Sequence, residues 1–167
     1  MDYDIFSSPV GILTISCTEN GISGLHIEGD RYFERVPSRW VHNHKSRLLL
    51  KAKEQLDEYF AGTLEQFDLP LDLEGTHFQQ EVWAALLEVP YGTTTSYSHL
   101  AEKIGQHKAV RAVGSAVGRN PACIIIPCHR VLTSDGKLGG YVAGFVCKKQ
   151  LLDLEQPNSP APEDFII

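Results

Sequence analysis

No stretch of this 167-residue sequence approaches the roughly 18 consecutive apolar residues of a membrane-spanning helix. The N-terminus, MDYDIF, carries two aspartates where a secretion signal needs a basic stretch. These absences lead us to expect a soluble, intracellular protein with no membrane partner, cytoplasmic or, in a eukaryote, nuclear. The four cysteines, at 17, 123, 128 and 147, form no C-x-x-C pair. Cys123 and Cys128 with His129 also match finger-like zinc spacings poorly, so no metal ligand set is visible. Composition is unremarked: 43% apolar and 22% charged residues exclude disorder, coiled coil and collagen. A chain of this length buries roughly two-thirds of its unfolded surface and suits one or two small domains.

Basic residues are scarce in the first half. Residues 1–75 carry 7 basic and 13 acidic side chains. All 8 bases of the second half fall within 103–149, where Asp135 is the only acid, a local balance of +7 in a chain of net charge −6. A concentrated basic segment on an acidic protein is a candidate polyanion binder, because steering follows the local field.

The first half reads as a small sheet with a helix. Ile12–Ile15 and Leu25–Ile27 flank Glu19-Asn20-Gly21, a hairpin signal. Leu48, Leu49, Ala52, Leu56, Tyr59 and Phe60 recur at helical spacing before Gly62. Thr63–Gly75 has no clean period and reads as a linker or irregular strand, so a boundary is expected near residue 75, with domains 1–75 and 76–167. The second half opens on a Thr76-x-x-Gln79 capping box and a helix that stops at Pro90-Tyr91-Gly92. Ser96 caps a short helix to Ile104, ended by Gly105. A third helix follows from about Lys108 to Gly118, with Val110, Val113 and Val117 inward. The last two helices describe a helix-turn-helix. The outer face of the third offers Arg111, Ser115 and Arg119 with Ala112, Gly114 and Ala116 between them. That face suits close, sequence-tolerant approach to a minor groove better than base reading in a major groove.

Residues 121–131 read Pro-Ala-Cys-Ile-Ile-Ile-Pro-Cys-His-Arg-Val. The β-branched run Ile124–Ile126 predicts a buried strand, terminated by Pro127. The next side chain, Cys128, is followed by His129 and Arg130, both able to favour a neighbouring thiolate. A thiol on a rigid turn beside an imidazole is what thiolate chemistry needs.

At these residues the sequence resembles the O6-alkylguanine-DNA alkyltransferases. The resemblance covers 76–158 through Val89-Pro90-Tyr91-Gly92, Ser96-Tyr97, Leu100-Ala101, Arg111-Ala112-Val113-Gly114, Asn120-Pro121, Ile126-Pro127-Cys128-His129-Arg130-Val131, Gly139-Gly140-Tyr141 and Leu151-Leu152 before Glu155. It extends more loosely to Ser8-Pro9-Val10-Gly11 and Glu58–Gly62. It implies an α/β protein of two domains, a small N-terminal sheet with a helix that is mostly scaffold and a mainly helical C-terminal half. It also implies single-turnover repair, in which Cys128 takes the alkyl group from O6 of a guanine flipped out of duplex DNA. His129 would activate the thiol through a water, oriented by Glu155. Tyr97 would hydrogen-bond the leaving base, and Asn120 would brace the turn. Val131, Tyr141 and Val142 would form the base pocket, Val142 narrowing it towards methyl. Arg111 would fill the vacated place in the stack, with Tyr97, Ser115, Arg119 and Arg130 as further DNA contacts. No cofactor is implied, and a monomer is expected. Some relatives carry a zinc in the first domain, for which Cys17 and His26 do not make four ligands.

Three other readings compete. A damaged-DNA binder without transfer would typically lack a cysteine after Pro127. A helix-turn-helix regulator leaves Ile-Pro-Cys-His-Arg unexplained. A cysteine hydrolase would use a distant histidine and an oxyanion hole.

Overall fold

The computed structural model describes residues 1–157. The last ten residues of the expected second domain, 158–167, lie outside the described residues. Strands β1 (Asp2–Ser8), β2 (Gly11–Cys17) and β3 (Ile22–Ile27) form an antiparallel meander, and β4 (Val41–His42) adds in parallel beside β1, in the order β3-β2-β1-β4. Leu13, Ile15, Ile22, Leu25 and Ile27 turn into the core. The hairpin predicted at 19–21 is present, closed by Thr18 N donating to Gly21 O at 2.9 Å. Gly21 is needed there for space: a Cβ would lie 2.8 Å from the carbonyl carbon of Leu71.

Helix α1 (Arg47–Phe60) packs Leu49, Ala52, Leu56 and Tyr59 inward. Ser46 caps it by accepting from Leu49 N, and Gly62 leaves it at φ +79°. The Thr63–Gly75 segment is irregular and meets the sheet at Ile22, which Leu71 bridges and which bonds to Pro70 O and Asp72 N, each at 2.8 Å. Helix α2 (His77–Leu87) has the full Thr76–Gln79 capping box. The two-residue strand β5 (Thr95–Ser96) leads into α3 (Tyr97–Lys103), capped by Ser96. Gly105, at φ +73°, turns the chain towards α4 (Val110–Gly118). Strand β6 (Val131–Leu132) pairs with β5, and α5 (Phe145–Glu155) closes the fold. The apolar core runs unbroken from the sheet through α1, α2, α4 and α5.

Two expectations fail here. Ile124–Ile126 is buried but is a turn, with Ile126 N bonded back to Ala122 O at 2.9 Å. Ile124 sits at φ +73°, a region costing a β-branched residue about 1–2 kcal/mol. Burial of the run was readable from its apolarity, but the contacts that hold this turn are distant in sequence. Ala116 is not on the outer face of α4: it is 3% exposed, and its carbonyl accepts from Trp83 Nε1 at 2.9 Å.

An isolated β-bridge, between Leu25 and Ala122, forms just upstream. Leu25 of β3 donates to Pro121 O at 2.9 Å and accepts from Cys123 N at 3.0 Å. Residues 121–123 thus extend the edge of the N-terminal sheet. Gly24 permits this approach, since a Cβ there would stand 2.9 Å from Ser16 Oγ and 3.2 Å from Pro121 O.

Candidate active site

The turn anchored on the sheet edge carries Cys128 at the start of a single 3-10 turn, Cys128–Arg130. Asn120 clamps the segment before it. Its Nδ2 donates to Ile126 O at 2.8 Å and its Oδ1 accepts from Ala122 N at 2.9 Å. One buried amide therefore satisfies both sides of the strained turn and fixes where the thiol points.

Cys128 lies 3% exposed at the floor of a cavity of about 420 Å³. Tyr97, Gly114, Gly140, Tyr141 and Val142 line it, so α3, α4 and the loop before α5 all contribute. The predicted residues Tyr97, Tyr141 and Val142 are thus brought together around the thiol. Val131, expected to hold the base through its backbone, is fully buried and is not among the lining residues, and its amide donates to Cys128 O. A larger hollow of about 800 Å³ opens behind the turn, against Pro127 and Arg130, and does not reach the thiol.

Behind the thiol stands a buried ionic network. His129 Nε2 lies 2.6 Å from Glu155 Oε2. Arg130 donates from Nε to Glu155 Oε1 at 2.7 Å and from Nη2 to Oε2 at 3.1 Å. Tyr59, from α1, donates to Oε2 at 2.6 Å. Burial alone would raise the Glu155 carboxyl, but His129 and Arg130 overcome it and hold it down to about 2. The carboxylate is ionised, so Nε2 carries the hydrogen and the lone pair of His129 sits on Nδ1. Nδ1 is buried and has no partner among the described residues. Burial also keeps the imidazole below its ordinary value, hence neutral near pH 7. A neutral imidazole with a free Nδ1 lone pair can accept a proton.

This network corrects the reading of Arg130. It is 6% exposed, and Nη1 donates to Val89 O at 2.7 Å, so its donors are spent inside and it is not a DNA contact. Nor do His129 and Arg130 supply the field that favours the thiolate. The Cys128 thiol is held below its usual value by a hydrogen bond from Cys123, against the opposing effect of burial, with help from the Asn120 amide and the Lys148 ammonium. Lys148 is fully buried, its ammonium bonded to the Leu138 carbonyl and to Gly140 O at 3.2 Å, and burial lowers it to about 8. Its signal was present in the sequence: 148, 151, 152 and 155 share one helical stripe with two leucines and the functional glutamate. For Tyr59 the only signal was an apolar helix face, which concealed its hydroxyl.

Tyr97 and Tyr141 are both raised by burial and by the neighbouring thiolate, so their hydroxyls stay protonated as donors. Arg111 and Ser115 on α4 and Arg119 at its C-cap are exposed on one face beside the cavity. Among the described residues no cluster of three metal-ligating side chains occurs, and no helix is long and apolar enough to cross a membrane.

Residues 77–157 match the family model for the DNA-binding domain of 6-O-methylguanine DNA methyltransferase, and residues 1–73 match that of its ribonuclease-like domain. A methylated-DNA–protein-cysteine methyltransferase of Methanosarcina barkeri is 48% identical over 95% of this chain and 99% of its own length. One of the same name from Mycolicibacterium paratuberculosis is 45% identical over 96% of both chains. Among solved structures, Mycobacterium tuberculosis OGT in complex with DNA superposes with a TM-score of 0.88 at 43% identity, covering 96% of each chain.

Proposed function

This chain belongs to the 6-O-methylguanine DNA methyltransferase family and repairs DNA by direct alkyl transfer to one of its own cysteines, and we propose that Cys128 is the acceptor. The observation that carries this reading is the placement of Cys128. It is the one thiol at the floor of the cavity, on a turn over-determined by Asn120 and backed by the His129–Glu155 pair.

The damaged guanine swings out of the duplex through its minor groove into the cavity, since an alkylated O6 inside a base stack is out of reach. Arg111, exposed on α4, takes the vacated space, and Ser115 and Arg119 lie against the backbone. The Cys128 thiol gives its proton, through a water, to Nδ1 of His129, while Glu155 steadies the imidazolium that forms. The thiolate then attacks the alkyl carbon. A carbon–sulfur bond forms, the carbon–O6 bond breaks, and its electron pair remains on the purine. The Tyr97 hydroxyl hydrogen-bonds the leaving base as that charge develops. Tyr141 and Val142 wall the base. The thioether is not hydrolysed, so one chain repairs one lesion, as a monomer.

The direct test is incubation with duplex carrying methyl-labelled O6-methylguanine. Wild type should become labelled, and Cys128→Ala should bind the duplex but take no label. Label on Cys128→Ala would assign the acceptor elsewhere.

A further inference from the structure

The N-terminal half is acidic, yet it sends a cation to the cavity that holds Cys128. Arg31, on the loop after β3, lines that cavity together with Tyr97, and its amide donates to Val142 O at 3.4 Å. The loop is built to hold this position. Asp30 is 5% exposed and accepts from Tyr32 N at 2.8 Å, and its other oxygen lies 3.1 Å from His26 Nδ1. Phe33 N donates to Asp30 O at 3.1 Å, and the Phe33 ring stacks on His26 at 4.0 Å. Arg31 and Tyr32 are therefore displayed from a fixed tip rather than from a loose loop.

Tyr32 is 50% exposed, and two guanidiniums share its ring: Arg119, at the C-cap of α4, at 4.1 Å and Arg31 at 5.4 Å. Among the described residues no carboxylate forms an ion pair with either arginine. Two like charges held on one ring repel each other, and an anion set between them removes that cost. The anion of a DNA-repair site is the phosphate backbone.

We propose that the loop after β3 is part of the DNA-binding surface, with Arg31 binding a backbone phosphate at the cavity mouth and Tyr32 holding Arg119 beside it. This rests on the alkyl-transfer reading above and extends its DNA contacts from the helix-turn-helix to the N-terminal half. Tyr32 is a positioning residue, acting through Arg119.

The test is equilibrium binding of an O6-methylguanine duplex to the Cys128→Ser protein across a salt series. Adding Arg31→Ala should weaken binding about tenfold, as loss of one charge-assisted hydrogen bond would. It should also reduce the slope of log affinity against log salt by about one. Arg31→Lys should restore the slope, because a single positive charge suffices for counterion release. Tyr32→Phe should bind like the parent and Tyr32→Ala more weakly, since the ring face does the holding. Unchanged affinity for Arg31→Ala, or a fall with no change in slope, overturns the phosphate contact. Equal losses for Tyr32→Phe and Tyr32→Ala overturn the platform. A Cys128→Ser parent that fails to bind the duplex overturns the alkyl-transfer reading and this inference with it. Binding by the parent that Arg31→Ala leaves unchanged overturns the inference alone.

Discussion

The turn around Cys128 and the outer face of α4 are neighbours built on opposite plans. Around the turn the bracing side chains are committed inside the protein, and His129 Nδ1 is left open for the proton: Asn120 makes two buried bonds, Glu155 takes four and Arg130 gives three. On α4 and at its C-cap, Arg111, Ser115 and Arg119 are exposed, and their intramolecular contacts are few. A group that must hold an atom in place for chemistry is fixed by the fold, whereas one that must meet DNA is left for DNA to satisfy. Mutations should therefore separate cleanly. Those behind the thiol should damage fold and chemistry together, and those on α4 should damage only work on duplex.

Glu155→Ala should cause the largest loss. It strands Arg130 as a buried unpaired charge, a change worth roughly 3–5 kcal/mol, and removes the partner that fixes the His129 tautomer. Thermal denaturation should show the deficit, and Glu155→Gln should refold better while its transfer optimum moves up towards the thiol's own range. A Glu155→Ala protein as stable as wild type would erase the contrast between the two regions.

Asn120→Ala comes next. It leaves Ala122 N buried without a partner, at roughly 1–3 kcal/mol for an unsatisfied group, and takes from Ile126 O one of its two bonds, the other coming from Cys128 N. Denaturant midpoints would measure this, and a loss within error would mean that Asn120 does not brace the turn.

Acid should act on the same region. His129 lies below its ordinary 6.5 when folded, so the unfolded chain takes up that proton first, and stability falls as pH drops below about 6.5. Glu155, at about 2 when folded against 4.5 ordinarily, adds a contribution that is full above 4.5 and lost as pH falls towards 2. Melting temperature should thus decline from pH 7 to pH 3, and less steeply in Glu155→Gln. A flat profile would contradict the buried network.

Arg111→Ala should have the smallest effect on stability, within about 0.5 kcal/mol, as for most exposed sites. Its effect should appear in the ratio of transfer rates from duplex and from free O6-alkylguanine, because only duplex demands flipping. An unchanged ratio would leave Arg111 an ordinary phosphate contact.

Much of this was legible in the sequence because it rests on local rules. The Thr76 and Ser96 caps, the α1 stripe and the glycines at 62 and 105 are decided within a few residues. Cys128, His129, Asn120 and Glu155 were legible through family motifs. What escaped depends on partners distant in the chain. Ile124–Ile126 looks like a strand until Asn120 and Ala122 close it into a turn. Arg130 looks like a DNA contact until Glu155, 25 residues on, claims it. Tyr59 meets Glu155 across 96 residues, and Arg31 reaches the cavity only because β3 pairs with Pro121 and Cys123.

The measurement that bears most directly on the central claim is peptide mapping of the protein after excess O6-methylguanine duplex. The account predicts one methyl group per chain, carried on the sulfur of Cys128, with no further uptake on longer incubation. Methylation on Cys123, Cys147 or Cys17, or repair continuing beyond one lesion per chain, would contradict it.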